Sequence, residues 1–230
     1  MQLAIIIFVV IVLVGIRLYV TIRDRKLLRT VTELNRGTQS ERELILMLLK
    51  SGIPARAIFH DLYVNQSQGK YTQIDLVIAT KVGLLVVEVK DYSGWIYGSG
   101  KQQQWTQVLA YGREKYRFYN PILQNNKHIL DLKKYTHLEA VPCFSVVVFF
   151  GNCRLKEINF VPSNTYLVTS DRALEAINHI INNNRPFEYP NKREVAKLLR
   201  ESVTNGSSPD IQKRHVHNVT EMLGKNRIFD

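Results

Sequence analysis

A chain of 230 residues, 45% hydrophobic and 22% charged, is long enough for one substantial domain plus an appendage, and its composition excludes a disordered or fibrous protein. Its 31 Lys and Arg against 20 Asp and Glu leave a net charge of +11, a surplus that favours anionic partners, nucleic acid or an acidic lipid surface, or else serves solubility alone. Cys143 and Cys153 flank one apolar run with neither metal spacing nor a disulfide framework, so the sequence predicts buried thiols in a reducing compartment.

The chain opens on MQLAIIIFVVIVLVGI, which carries no charge, and LYVTI continues it after Arg17. Leu3 to Ile22 would make a helix of about 30 Å, one hydrocarbon thickness. Arg17 lies near one end, where its side chain can reach the headgroups. Arg23, Arg25, Lys26 and Arg29 follow at once, and no Lys or Arg precedes the run. That asymmetry places the N-terminus outside the cell membrane and the rest of the chain in the cytoplasm. A cleaved leader would want a basic start and a small-x-small site, and both are missing, so a single-pass anchor over 1–22 is expected. A basic, helical juxtamembrane stalk is expected over 23–36, a domain over 37–185, and a C-terminal helix and tail over 186–230.

After Gly37, helical spacing returns through Leu44, Leu48 and Leu49, with Ser40 as a candidate N-cap and Glu43 three residues on. Ser51 to Pro54 ends that helix. Strands are predicted over Ala57–Val64, Tyr71–Ala79 and Leu84–Lys90, the first two separated by a polar loop and the last two by a short turn. DYSGWIYGSG turns into another short strand. An Asn-Pro start opens a helix over Asn120–Tyr135, and Phe144–Phe150, apolar at both parities, reads as a buried strand. A strand over Tyr166–Thr169 and helices over Asp171–Asn182 and Lys192–Val203 follow, and from Thr204 the text is polar and reads as a weakly ordered tail. The sum is an α/β protein with a mixed central sheet flanked by helices, preceded by one transmembrane helix.

The segment IDLVIATKVGLLVVEVK, Ile74 to Lys90, sets Asp75, Glu88 and Lys90 into strand text built for burial. Counting back from a two-residue turn at Lys81–Val82 puts Ala79 opposite Leu84 and Asp75 opposite Glu88, with Cβ atoms about 5 Å apart. Two carboxylates that close repel one another unless a cation lies between them. Glu88 and Lys90, two residues apart on a strand, share a face. Such a set suits Mg²⁺, which takes one or two carboxylates and fills its shell with water and substrate oxygens. The alternative is an Asp75–Lys90 ion pair at a sheet end, which would leave Glu88 without a partner.

The pattern D-x12-E-V-K across a hairpin resembles the PD-(D/E)xK phosphodiesterase core, and the surrounding text resembles the nuclease-related domain family, NERD. The pieces stand in order as GTQSE (Gly37 to Glu41), QID (Gln73 to Asp75), GLLVVEVKDYSG (Gly83 to Gly94), Trp105 and NPILQ (Asn120 to Gln124). The resemblance implies a restriction-endonuclease-like sheet and a Mg²⁺- or Mn²⁺-dependent nuclease acting on phosphodiester bonds of DNA in preference to RNA. By the same likeness Asp75, Glu88 and Glu41 hold the metal, Lys90 is the catalytic lysine and Gln124 supports it. Ser40 stands where the family has glycine, and Ile74 where the parent motif has proline. Rival readings are a non-cleaving nucleic-acid-binding module and a membrane scaffold of the same fold. Glu41 also reads as a first-turn acid, and Asn120 and Gln124 as caps. Trp95 and Trp105 read as stacking or packing residues, and Lys101, Arg113, Lys115, Arg117 and Lys127 as phosphate contacts or ordinary surface. No histidine has ligand spacing, and none is assigned a role.

Overall fold

The computed structural model describes residues 2–67 and 69–225. Helix α1, Gln2–Leu28, is apolar on all sides up to Ile16, and among the described residues nothing packs on its first turns, so Phe8 and Ile11 stay 66% and 63% exposed. Its stretch Ile5–Leu28 is long and apolar enough to cross a membrane. The expected stalk is not a free spacer. Asp24 of α1 pairs with Lys50 at 2.6 Å, Leu28 is buried in the core, and Val31 and Leu34 pack against the same cluster. Apolar residues inside that basic stretch are what dock it.

Helix α2, Gln39–Lys50, starts two residues earlier than the Ser40 cap predicts. Thr38 is the N-cap: its hydroxyl accepts from the Glu41 N–H, and the Glu41 carboxylate reaches back to the Thr38 N–H. This phase buries Leu44, Ile45 and Leu48 and leaves Ser40 to donate to Asp91 instead.

Strands β1 (Ile58–Ser67), β2 (Lys70–Thr80) and β3 (Gly83–Asp91) form an antiparallel meander. Strands β4 (Gly94–Ser99), β5 (Gln104–Leu109) and β6 (Glu114–Tyr119) follow, then α3 (Pro121–Thr136), β7 (Cys143–Phe150), β8 (Cys153–Asn159) and β9 (Thr165–Thr169). The central sheet has the order β1-β2-β3-β7-β9, with β7 parallel to both neighbours. It is the mixed sheet the text predicts. A second sheet, β6-β5-β4-β8, was not foreseen, because β5, β6 and β8 carry Gln, Lys, Arg and Tyr among few apolar residues and show no clean alternation.

Three apolar clusters tie these layers together. On one face of the central sheet Leu44 and Leu48 of α2 and Ile177 of α4 (Ala173–Asn183) meet Val87 and Val148. On the other face Leu132 of α3 and Leu199 of α5 (Lys192–Asn205) cover Val86 and Leu62. Farther along that face the second sheet lays Trp105 and Ile96 on Val147 and Phe149. Residues 209–225, expected as a tail, form α6, Pro209–Lys225, whose His215 donates from Nδ1 to the Tyr71 carbonyl and sets its ring edge against Tyr63. Cys143 and Cys153 are free thiols, and burial pushes the first up to about 11.

Candidate active site

The register of the β2–β3 hairpin is the one counted from the turn: Thr80 faces Gly83, Ala79 faces Leu84 and Leu76 faces Val87. The ladder stops there. Instead of pairing through its backbone, Asp75 turns its side chain to the strand, and Oδ2 accepts from the Val89 N–H at 2.8 Å. The cause is a break in the alternation of both strands. Ile58, Leu76 and Ile78 pack on the α2 face, whereas Leu62, Val64 and Ile74 pack on the α3 face. Between them lie Asp61, in the left-handed region at φ 54°, and Asp75 opposite it. Arg36 holds the bend. Its Nε donates to Asp61 Oδ2 at 2.7 Å, Nη2 to the carbonyls of Asp61 and Val203, and Nη1 to Ser207. Gln73, of the QID motif, donates to Asp61 Oδ1.

Beyond the bend, β3 presents Glu88 and Lys90 on the face that carries α3. Glu88 is 1% exposed, and Lys90 Nζ lies 2.7 Å from its Oε1. Lys90 also donates to Gln124 Oε1 at 3.0 Å. His128, one turn further along α3, brings Nε2 to 3.2 Å from Glu88 Oε2, a close contact without hydrogen-bond alignment. Among the described residues, buried Glu88 Oε2 and His128 Nδ1 have no hydrogen-bond partner. Burial pushes Glu88 up, but the nearness of His128 and the Lys90 charge outweigh it and hold the carboxyl below its ordinary value. Burial likewise disfavours the Lys90 cation, and the carboxylates of Glu88 and Asp75 overcome it, so its pKa rises. Asp75 is the opposite case. Burial first, then the charges of Glu88 and Glu41, drive it well above the carboxylate range, against the Val89 hydrogen bond and Lys90.

Glu41 reaches this end of the sheet from the first turn of α2. Its Oε1 closes the capping box with Thr38, and Oε2 sits 2.9 Å from His60 Nε2. His60, 1% exposed, uses Nδ1 on Thr32 at 2.7 Å. Burial would raise Glu41, but His60 and Thr38 hold it low. Gly37, at φ 67°, lets the loop pass, since a Cβ there would stand 2.5 Å from both Glu41 Oε2 and His60 Nε2.

Of the residues expected at the site, Glu88, Lys90 and Gln124 thus form one contact chain, and Asp75 and Glu41 join them through charge. Among the described residues no group of three His, Cys, Asp or Glu side chains is gathered at metal-ligating spacing, because each acid is turned to a neighbour of its own. The sequence assigns no role to His60 and His128, which lie 19 and 40 positions from the carboxylates they meet. No local spacing reveals such pairs. Asn120 caps α3 through the Ile122 N–H and ties it to Ser99 and Gln102. Trp105 is core, stacked on Phe149, whereas Trp95 faces outward beneath Lys156. Lys127 is paired with Asp131 at 2.6 Å and Lys101 lies over Phe160, whereas Arg113, Lys115 and Arg117 are exposed.

Comparison with known proteins bears on the same segment. An uncharacterized protein of Bacillus anthracis is 37% identical over 124 residues, a match spanning 54% of this chain and 57% of that protein. The chain thus covers little more than half the length of this relative. No solved structure matches it. The model of the nuclease-related domain matches residues 36–150, from Arg36 through β7, and so takes in the hairpin, the Glu41 turn and the start of α3. On that match, which spans half of its length, the chain belongs to the nuclease-related domain (NERD) family.

Proposed function

We propose that this is a membrane-anchored, metal-dependent nuclease that hydrolyses phosphodiester bonds of DNA in preference to RNA at Asp75, Glu88 and Lys90. The observation that carries the reading is the buried Oε2 of Glu88, which among the described residues is met by His128 Nε2 at 3.2 Å without an aligned hydrogen bond, beside an Asp75 whose neighbours oppose its ionisation. An oxygen left so is costly unless something cationic meets it. A divalent cation relieves both carboxylates, and hard oxygen donors suit Mg²⁺ or Mn²⁺. Asp75 and Glu88 would hold it, with Glu41, reaching the same sheet end from the first turn of α2, as the third acid. Bound there, the ion supplies charge to a phosphoryl oxygen and lowers the pKa of a water.

The chain's own groups divide the remaining work. Lys90 stays protonated through neutral pH, so it serves as a fixed cation toward the phosphate and not as the base. Gln124 sets the direction of its Nζ. The bend at Asp61 aims Asp75 at β3. A second reading, a module that grips nucleic acid without cutting it, draws on one observation: both oxygens of Glu41 are already engaged by Thr38 and His60.

Cleavage of linear, circular and single-stranded DNA by the full chain in detergent, with and without Mg²⁺, tests the proposal. Asp75→Ala and Lys90→Ala should each lower the rate by about 100-fold or more, with binding kept. Cleavage that persists in both variants overturns the site assignment, and binding without any metal-dependent cleavage favours the second reading.

A further inference from the structure

The second sheet has two unlike faces. Its inner face packs Ile96, Trp105 and Cys153 on the core. Its outer face follows from the strand registers, because residues paired across a ladder point the same way. Trp95 of β4 is level with Val108 of β5, Val108 with Lys115 of β6, and Trp95 again with Arg154 of β8. One row across the sheet therefore reads Arg154, Trp95, Val108, Lys115. The next reads Tyr97, Thr106, Arg117. A bulge in β8 brings Lys156 back over the Trp95 ring, with Nζ 5.5 Å from its centroid.

Two aromatic rings thus stand in the middle of an outward face, with cations along both rims. Lys115, Arg117, Arg154 and Lys156 are all exposed, and among the described residues none has an acidic partner within ion-pair distance. Trp95 and Tyr97 are half-buried. Glu157 is the acidic residue of the β8 rim.

We propose that this outer face binds single-stranded nucleic acid, with unpaired bases stacking on Trp95 and Tyr97 and the phosphates lying along Lys115, Arg117, Arg154 and Lys156. Flat rings bracketed by cations suit a planar group flanked by anions. A duplex hides its base faces in its own stack and has nothing to lay on Trp95. An acidic bilayer takes up protruding apolar tips, and here Lys156 lies over the Trp95 ring. The face is close in sequence to the candidate site: Lys90 ends one sheet and Trp95 begins the other, so their Cα atoms are at most about 18 Å apart. The inference rests on the nuclease reading only in expecting nucleic acid as ligand, and it deepens that reading by naming the strand state.

The test is binding by the full chain in neutral detergent with a chelator present, so that cleavage plays no part. The probes are fluorescein-labelled oligo(dT), oligo(U), a mixed-sequence duplex and phosphatidylglycerol vesicles. Expected are tighter binding of the single strands than of the duplex, quenching of tryptophan fluorescence by oligo(dT), and an affinity about ten-fold lower in Trp95→Ala. Lys115→Ala with Arg117→Ala should lower the salt slope of single-strand binding by about 1.4. Arg154→Glu with Lys156→Glu changes only exposed side chains, and it should also weaken binding should Trp95→Ala fail to fold. Unchanged single-strand affinity in the folded variants overturns the proposal. So does tighter duplex binding that ignores Trp95→Ala, or an effect of these variants on vesicles alone. Binding of oligo(dT) at this face with no cleavage under any metal would sink the nuclease reading and leave this one standing.

Discussion

Asp75 sits where burial and the charges of Glu88 and Glu41 oppose its ionisation, and in the metal-free chain it keeps its proton above the pH at which an unfolded aspartate loses it. A raised folded-state pKa contributes stability that is whole below about pH 3.9 and is lost as pH rises through the folded value. Asp75→Asn keeps an oxygen for the Val89 N–H and removes the charge. It should leave Tm unchanged near pH 3.5 and raise it increasingly toward neutral pH, by about 2–4 °C for each kcal/mol gained. Thermal melts in a chelator across pH check this, and a variant that melts lower than the parent at pH 7 contradicts the assigned repulsion. Glu41 and Glu88 behave in the opposite sense. Both are held below the ordinary value, so their contribution is present above about pH 4.3 and is lost on acidification. Acid unfolding should therefore begin with these two, through the loss of their contacts with His60, His128 and Lys90.

At the scale of elements, the device that positions the site is the paired bend of β1 and β2. The hairpin register was legible because a two-residue turn leaves only one way to count back from it. The bend was not, since nothing local in HDLYV announces a positive φ at Asp61, and the Arg36 fork that holds it comes from 25 residues upstream. The fork joins the approach to α2, the bend in β1 and the end of α5 through Asp61, Val203 and Ser207. Gly206 permits it, because a Cβ there would lie 2.1 Å from Arg36 Nη2. Arg36→Ala would strand the buried Asp61 carboxylate and should cost about 3 kcal/mol. Arg36→Lys should rescue little, as a single ammonium cannot meet four acceptors held in a fork. Denaturant melts give the cost, and hydrogen exchange should show α5 and α6 opening first. A loss below about 1 kcal/mol would mean the bend is held by Gln73 and packing alone.

For the whole molecule, the question is how an apolar helix and a domain of this family sit together. Helix α1 continues past the apolar stretch and docks through Asp24 and Leu28, which leaves no long tether. Glu41 lies at the far end of α2 from Lys50, about 13 Å along the helix from the residue that meets α1. The proposed anchor at 1–22 predicts that the full chain stays with membranes after carbonate extraction and that its N-terminal residue is Met1. Removal of residues 1–22 should release a folded domain, and protease added outside intact cells should leave that domain whole. A mature chain that begins beyond residue 22 would instead make α1 a cleaved leader.

By itself, the sequence determined what short-range periodicity and spacing can carry: the apolar N-terminal run, the α/β order, the hairpin register and the five ordered pieces of a NERD domain. These depend on neighbours along the chain, where side-chain direction repeats every two or every 3.6 residues. Tertiary structure alone decided the rest. It placed His60 and His128 against Glu41 and Glu88, turned Asp75 off its ladder, made a docked helix of residues 209–225, and built a second sheet with an aromatic face between two cationic rims. The reason is that the pairing of a buried charge is settled by whichever groups packing brings to it, from any distance along the chain.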